Sequence, residues 1–225
     1  MTDLKEALER FSARLPENEN PILGQGGTAT VYHVIVNDEH YALKIVPQEH
    51  CYILEREILW LQWQKIVKEI KNIARLKASA YLKSGSLCAL LSPVGKSIKS
   101  VSREYIPEVC CVISGLHCMN YRHGDAKIAN FIVVDEKIVV IDFGFAKYYT
   151  PQEITLHVKY DMYRIAASFL GLDDSSDLDN DPDELITDQT QHIDIIQDAL
   201  NTYINSGYSE HTAKQFGLTL RSLST

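Results

Sequence analysis

The chain has 225 residues, 45% of them hydrophobic and 23% charged. That composition excludes collagen-like, fully disordered and coiled-coil chains and leaves room for one large domain or two small lobes. Thirty acidic residues stand against 22 basic ones, but eight of the acids fall between Asp173 and Asp188, where there is no base. The remainder balances at 22 against 22, so neither a global acidic field nor a basic footprint for nucleic acid is expected.

Leu4, Leu8, Phe11 and Leu15 recur at helical spacing, which predicts an amphipathic helix over residues 2–15 that packs on the body of the protein. After a polar break from Pro16 to Pro21 the pattern changes to strands: Ile22-Leu23, a glycine cluster, Val31 to Val36, a turn at Asn37–His40, and Tyr41 to Val46. Apolar residues three to five apart from Glu49 to Ile73 predict a helix, broken at most once. Short strands near Lys77–Lys83 and Leu87–Leu91 follow, joined by Ser84-Gly85-Ser86. Pro93-Val94-Gly95 reads as a connector into a helix-rich half. That half holds a helix around Glu104–Asn120, a hairpin of Phe131–Val134 and Ile138–Ile141, and helices near Lys159–Leu170 and His192–Ile204. The expected architecture is α+β: an N-terminal helix over 1–17, a sheet-rich lobe over 18–94 and a mainly helical lobe over 95–225 that carries an acidic loop at 173–188.

No apolar run is long enough to span a bilayer, and the charged, amphipathic start MTDLKEALERFSARL is unlike a signal sequence, so a cytoplasmic protein with no membrane contact is expected. Cys51, Cys88, Cys110, Cys111 and Cys118 form no CxxC pair; their odd number predicts reduced thiols and no structural zinc. Cys110, Cys111 and Cys118 fall in what reads as a buried helix, where a thiol is a small apolar filler.

Gly24-Gln25-Gly26-Gly27-Thr28-Ala29-Thr30-Val31 fits GxGxxGxV except for Ala29 in place of the third glycine. Such a loop brings backbone N–H groups close to phosphate. A dinucleotide loop would open a helix, whereas this one runs on into a strand, so a hairpin over phosphates is favoured. Thirteen residues after Val31, Lys44 sits inside the apolar strand Tyr41–Val46. A buried ammonium needs a carboxylate or an anionic ligand, and the following helix offers Glu55 and Glu57, with Glu57 preferred.

Further on, His123-Gly124-Asp125-Ala126-Lys127-Ile128-Ala129-Asn130 is followed by a hairpin and then Asp142-Phe143-Gly144. An aspartate able to take a hydroxyl proton, a lysine two residues on, an asparagine five on and a second aspartate twelve beyond that suit phosphoryl transfer with magnesium.

In order and strand context these pieces resemble the protein-kinase signature set over roughly residues 20–170. The resemblance implies a two-lobed kinase-like fold that uses ATP and Mg2+. By that likeness Asp125 is the catalytic base, Lys127 stabilises the moving phosphoryl group, Asn130 and Asp142 ligate metal, and Lys44 clamps the α- and β-phosphates. Gly24, Gly26 and Gly27 cover the nucleotide, Val31, Ala42 and Ile132 wall the adenine pocket, and His123 packs near Phe143 as a structural residue.

The chain also departs from that pattern. Gly124 replaces the catalytic-loop arginine, so phosphorylation-gated activation is not expected. Asp161 follows Asp142 by only nineteen positions and resembles the aspartate that anchors the catalytic loop, and no APE motif fits between them. The activation segment is thus cut down, as in the KEOPS kinase subunit, the RIO kinases and some small effector kinases. The expected function is a minimal serine/threonine kinase acting on a protein substrate. A small-molecule kinase of the aminoglycoside or choline type and a kinase-like binding scaffold are the alternatives, with Lys127 favouring a protein acceptor. Asp177, Asp179, Asp181 and Asp188 mimic a calcium loop, but Pro182 stands where glycine is needed, so a solvated acidic loop able to dock a basic partner is expected instead.

Overall fold

The computed structural model describes residues 2–17, 19–67, 70–98, 103–171 and 193–223. The acidic stretch 173–188, with its calcium-like spacing and expected docking role, lies outside these. Two compact units emerge: residues 1–69 with 74–95, and residues 70–73 with 96–225. No helix among the described residues is long and apolar enough to cross a membrane.

The first unit is built on a five-stranded antiparallel sheet in the order β1-β2-β3-β5-β4, where β1 is Ile22–Gln25, β2 Thr30–Val36, β3 Glu39–Val46, β4 Arg75–Tyr81 and β5 Leu87–Ser92. A two-residue turn joins β2 and β3; Asn37 and Asp38 both take positive φ (50° and 63°), as the twist of a tight hairpin requires. Because side chains alternate across a strand, Leu43 and Ile45 face one side and Ala42 and Lys44 the other. Leu43 and Ile45 join Val34, Tyr41, Cys88 and Leu90 in a core covered by Leu4, Leu8 and Phe11 of α1 (Asp3–Phe11). Burying each such side chain stabilises the unit by about 1.5–3 kcal/mol.

That first helix is shorter than its periodicity suggested. Ser12 turns left-handed at φ 52° and caps it, and Arg14 then pairs with Ile35 as a bridge. Leu15 therefore reaches the core from an extended segment. Glu6, 8% exposed, accepts a 3.0 Å hydrogen bond from the Lys83 amide and so ties α1 to the β4–β5 turn.

Cys51–Val67 forms α2, which packs against β4 and β5. The predicted helix over 49–73 thus ends early. Ile73 makes a parallel bridge to Val140, and the Asn72 carbonyl accepts from the Val140 amide at 2.9 Å, which places 70–73 in the second unit.

In the second unit, α3 (Ile106–Cys118) packs against α4 (Ile154–Leu170) and α6 (Glu210–Leu223), α5 (Ile193–Asn205) packs against α4 and α6, and α3 also meets a small sheet of β6 (Lys96–Ser97), β8 (Phe131–Val134) and β9 (Lys137–Val140). A second ladder pairs β7 (Tyr121–Arg122) with β10 (Lys147–Tyr148). Sequence periodicity did not mark α6. It lies so close to α3 that a Cβ on Gly217 would meet the Pro107 Cα at 2.5 Å. Gly171, left-handed at φ 70°, closes α4. Cys110 is buried in α3 as expected, whereas Cys111 is partly exposed and Cys118, at the helix end, is exposed.

Candidate active site

In the first unit the strand period puts Lys44 on the face opposite the α1 core, with Val31 directly across from it on β2. Its Nζ donates to Glu57 Oε2 at 2.8 Å; the two residues are 7% and 0% exposed. Glu55, by contrast, sits on the exposed side of α2 and accepts from the Tyr81 hydroxyl. Two positions on one helix were open in the sequence; the sheet chooses Glu57, since only that face of α2 reaches β3. Ala42 shares the Lys44 face two residues earlier, and both it and Val31 are partly exposed.

The glycine loop closes with the Gly26 amide donating to the Ala29 carbonyl at 3.0 Å. A Cβ added at Gly24, Gly26 or Gly27 would meet nothing within 4 Å, so internal packing does not demand glycine there. The loop, from Gly26 to Thr30, also lines a cavity of about 490 Å³ with Thr2, Asp3, Leu4, Tyr32, Ile45 and Pro47.

The second unit assembles its residues on one loop held by one helix. Asp161 of α4, 0% exposed, accepts the backbone amides of His123 and Gly124 at 2.7 and 2.9 Å. It also takes the His117 Nε2 donor at 3.2 Å. Burial alone would raise the Asp161 carboxyl, but the hydrogen bond from His117 and the electrostatic influence of His117, His123 and Arg122 prevail and hold it below the ordinary aspartate value of 3.8. Ser168, two turns along the same helix, accepts the Ile128 amide at 2.9 Å.

Between these anchors the Asp125 carboxylate is surrounded. Asn130 Nδ2 donates to its Oδ2 at 2.9 Å and to its backbone carbonyl at 2.8 Å. Lys127 Nζ lies 3.0 Å from Oδ2, and Arg164 Nη2 3.1 Å from Oδ1. Asp142 takes φ 64°, a left-handed conformation that aspartate adopts more readily than most side chains. Ile132 is 8% exposed on β8.

His123 performs a structural task. Its ring lies 5.1 Å from that of Phe143, Nε2 donates to the Ile141 carbonyl at 3.0 Å, and Nδ1 accepts the Asp125 amide at 3.2 Å. Gly124 is dictated by geometry: at φ 83°, a Cβ would stand 2.5 Å from the Phe145 carbonyl oxygen. Arg164 was the residue that sequence reasoning passed over. Its signal was the spacing of three from Asp161, which puts both on one face of a helix.

Cysteine chemistry is not supported. Burial raises all five thiols, Cys88 and Cys111 to about 11, so none is a thiolate nucleophile near neutral pH.

The family model of the protein kinase domain matches residues 18–171. The chain belongs to that family. It is 31% identical over 115 residues to the serine/threonine-protein kinase kin-29 of Caenorhabditis briggsae, covering 48% of this chain and 14% of that protein. It is 31% identical over 99 residues to the mitogen-activated protein kinase kinase kinase YODA of Arabidopsis thaliana, covering 44% and 11%. To the cell cycle protein kinase DBF2 of Saccharomyces cerevisiae it is 32% identical over 143 residues, covering 55% and 24%. The chain therefore spans a quarter or less of the length of these relatives.

Proposed function

We propose that this chain is an ATP- and magnesium-dependent protein kinase that transfers the γ-phosphoryl group to a serine or threonine hydroxyl of a protein. The observation that carries the reading is the Asp125 carboxylate held by Asn130 and Lys127 on a loop whose backbone is anchored to Asp161. Family membership and the serine/threonine kinase among its relatives support a protein acceptor over a small molecule.

The donor set fits magnesium. Both Nδ2 hydrogens of Asn130 are spent on Asp125, which fixes the amide plane and leaves its Oδ1 with no hydrogen bond among the described residues. Asp142 supplies a carboxylate twelve residues after Asn130. One amide oxygen and one carboxylate are what magnesium takes from protein when phosphates supply further ligands. Bound there, the ion would offset phosphate charge.

The chain's own residues do the rest. Lys44, oriented by Glu57, would meet phosphate oxygens, and the glycine loop would offer backbone amides unshielded by side chains. Asp125 accepts the hydroxyl proton, and Lys127 balances charge on the group in flight.

The test is purified protein with γ-labelled ATP and magnesium, alone and with a cell lysate, beside Asp142→Ala. Label on protein from the wild type, reduced at least about 100-fold in the variant, is the expected result. Undiminished labelling by the variant would remove Asp142 from the site.

A further inference from the structure

Three side chains of α4 hold the loop that carries Asp125. Residues 161, 164 and 168 follow at intervals of three and four, one stripe of the helix. Asp161 binds the loop backbone at 123 and 124, and Ser168 binds it at 128. Arg164 alone reaches a side chain, with Nη2 3.1 Å from Asp125 Oδ1.

The two cations on this carboxylate differ in kind. The Arg164 side chain is 5% exposed, and the Oδ1 atom it meets is buried and accepts no hydrogen bond among the described residues, so the contact is an ion pair. The Lys127 side chain is 35% exposed and meets Oδ2, which Asn130 also contacts. Guanidinium is permanently charged and presents its donors in a rigid plane, whereas a lysine on its flexible stem can follow a moving charge. Moving a buried guanidinium off its carboxylate costs more than moving an exposed ammonium.

We propose that Arg164 is the positioning residue of the catalytic carboxylate. By pinning the inward oxygen Oδ1 it turns Oδ2 outward and makes Oδ2 the atom that takes the acceptor's proton. The inference rests on the reading of Asp125 as the base. In the step, the acceptor O–H proton passes to Oδ2 and the acceptor oxygen bonds to the γ-phosphorus. The bond from that phosphorus to the bridging oxygen breaks, and ADP leaves with the electron pair. A carboxylate oxygen has two lone-pair sites, and at Oδ2 Asn130 and Lys127 occupy both. Lys127 therefore yields its site to the hydroxyl by swinging to the phosphoryl group, while Arg164 stays in place.

The experiment compares wild type, Arg164→Lys and Arg164→Met. It reads phosphate release from magnesium ATP with water as acceptor, ADP affinity by calorimetry, and the crystal structures of the variants. Misplacing a catalytic group by an ångström costs on the order of 100-fold, so Arg164→Met should lower kcat about 100-fold. Arg164→Lys, which keeps the charge and loses the planar fork, should fall about tenfold. ADP affinity should stay within about twofold of wild type in both. In the crystals the methionine variant should show the Asp125 carboxylate rotated and its Oδ2 contact with Asn130 lost. Turnover within about threefold of wild type for Arg164→Met, or kcat and ADP affinity falling together, would overturn the proposal. So would an unmoved carboxylate. If Arg164→Met does not fold, the kcat-to-affinity split of Arg164→Lys decides by the same criteria. A wild type that folds and transfers nothing sinks the kinase reading instead, and the crystallographic comparison still judges the role of Arg164 in orienting Asp125.

Discussion

The two units bury charge in opposite ways. In the first, Lys44 and Glu57 form an ion pair at 2.8 Å, nearly without solvent. In the second, one carboxylate is shared by Asn130, Lys127 and Arg164. Removing either member of a buried ion pair withdraws a counter-charge from the other. The shared carboxylate can lose a neighbour and remain paired, with its direction altered instead. The first arrangement therefore couples function to stability, and the second separates them.

The sharpest way to break that contrast is Asp125→Asn. It should lower phosphoryl transfer by about 10²–10⁴-fold through loss of the base, while nucleotide affinity stays within about twofold. A parallel fall in affinity would show that the two clusters are not separable.

Next in size is Glu57→Gln, which keeps the shape and removes the charge. Breaking a buried ion pair costs about 3–5 kcal/mol, read as a lower denaturant midpoint together with weaker ATP binding. A midpoint unchanged from wild type would mean that Lys44 finds another counter-charge.

The Asp161 anchor makes a pH prediction. Its folded-state carboxyl is depressed below 3.8, so its stabilisation is fully present above that value and is lost as pH falls below it toward the folded-state value. Unfolding free energy measured from about pH 6 down to about pH 3 should fall at the acid end, and Asp161→Asn should flatten that limb. An equally steep acid limb in the variant would place the titration elsewhere.

The smallest effect belongs to Glu55→Gln. Exposed on α2 and bonded to the Tyr81 hydroxyl, it should change stability by no more than about 0.5 kcal/mol and leave ATP affinity alone. A loss comparable to that of Glu57→Gln would contradict the assignment of the lysine's partner.

Much of this was legible in the residues. The period of two from Tyr41 to Val46 placed Lys44 on one face of its strand, and local chemistry marked the loop at 123–130 as a site. Helix ends were less legible. Periodicity carried α1 to Leu15 and α2 to Ile73, but Leu15 enters the core from an extended segment and Ile73 pairs with Val140. Apolar spacing records that a residue is buried, and a strand or bridge can bury it as well as a helix does.

The sequence by itself determined most of the strands and helices in their order and singled out the candidate site residues, because each depends on short-range periodicity or on functional groups a few residues apart. Only the tertiary structure decided between Glu55 and Glu57, fixed Gly124 through its approach to Phe145, and brought Arg164 to Asp125. Each of these turns on which face of one element meets another across 13 to 39 residues of chain. That choice is made by packing, where a buried charge must find its partner or the arrangement does not form.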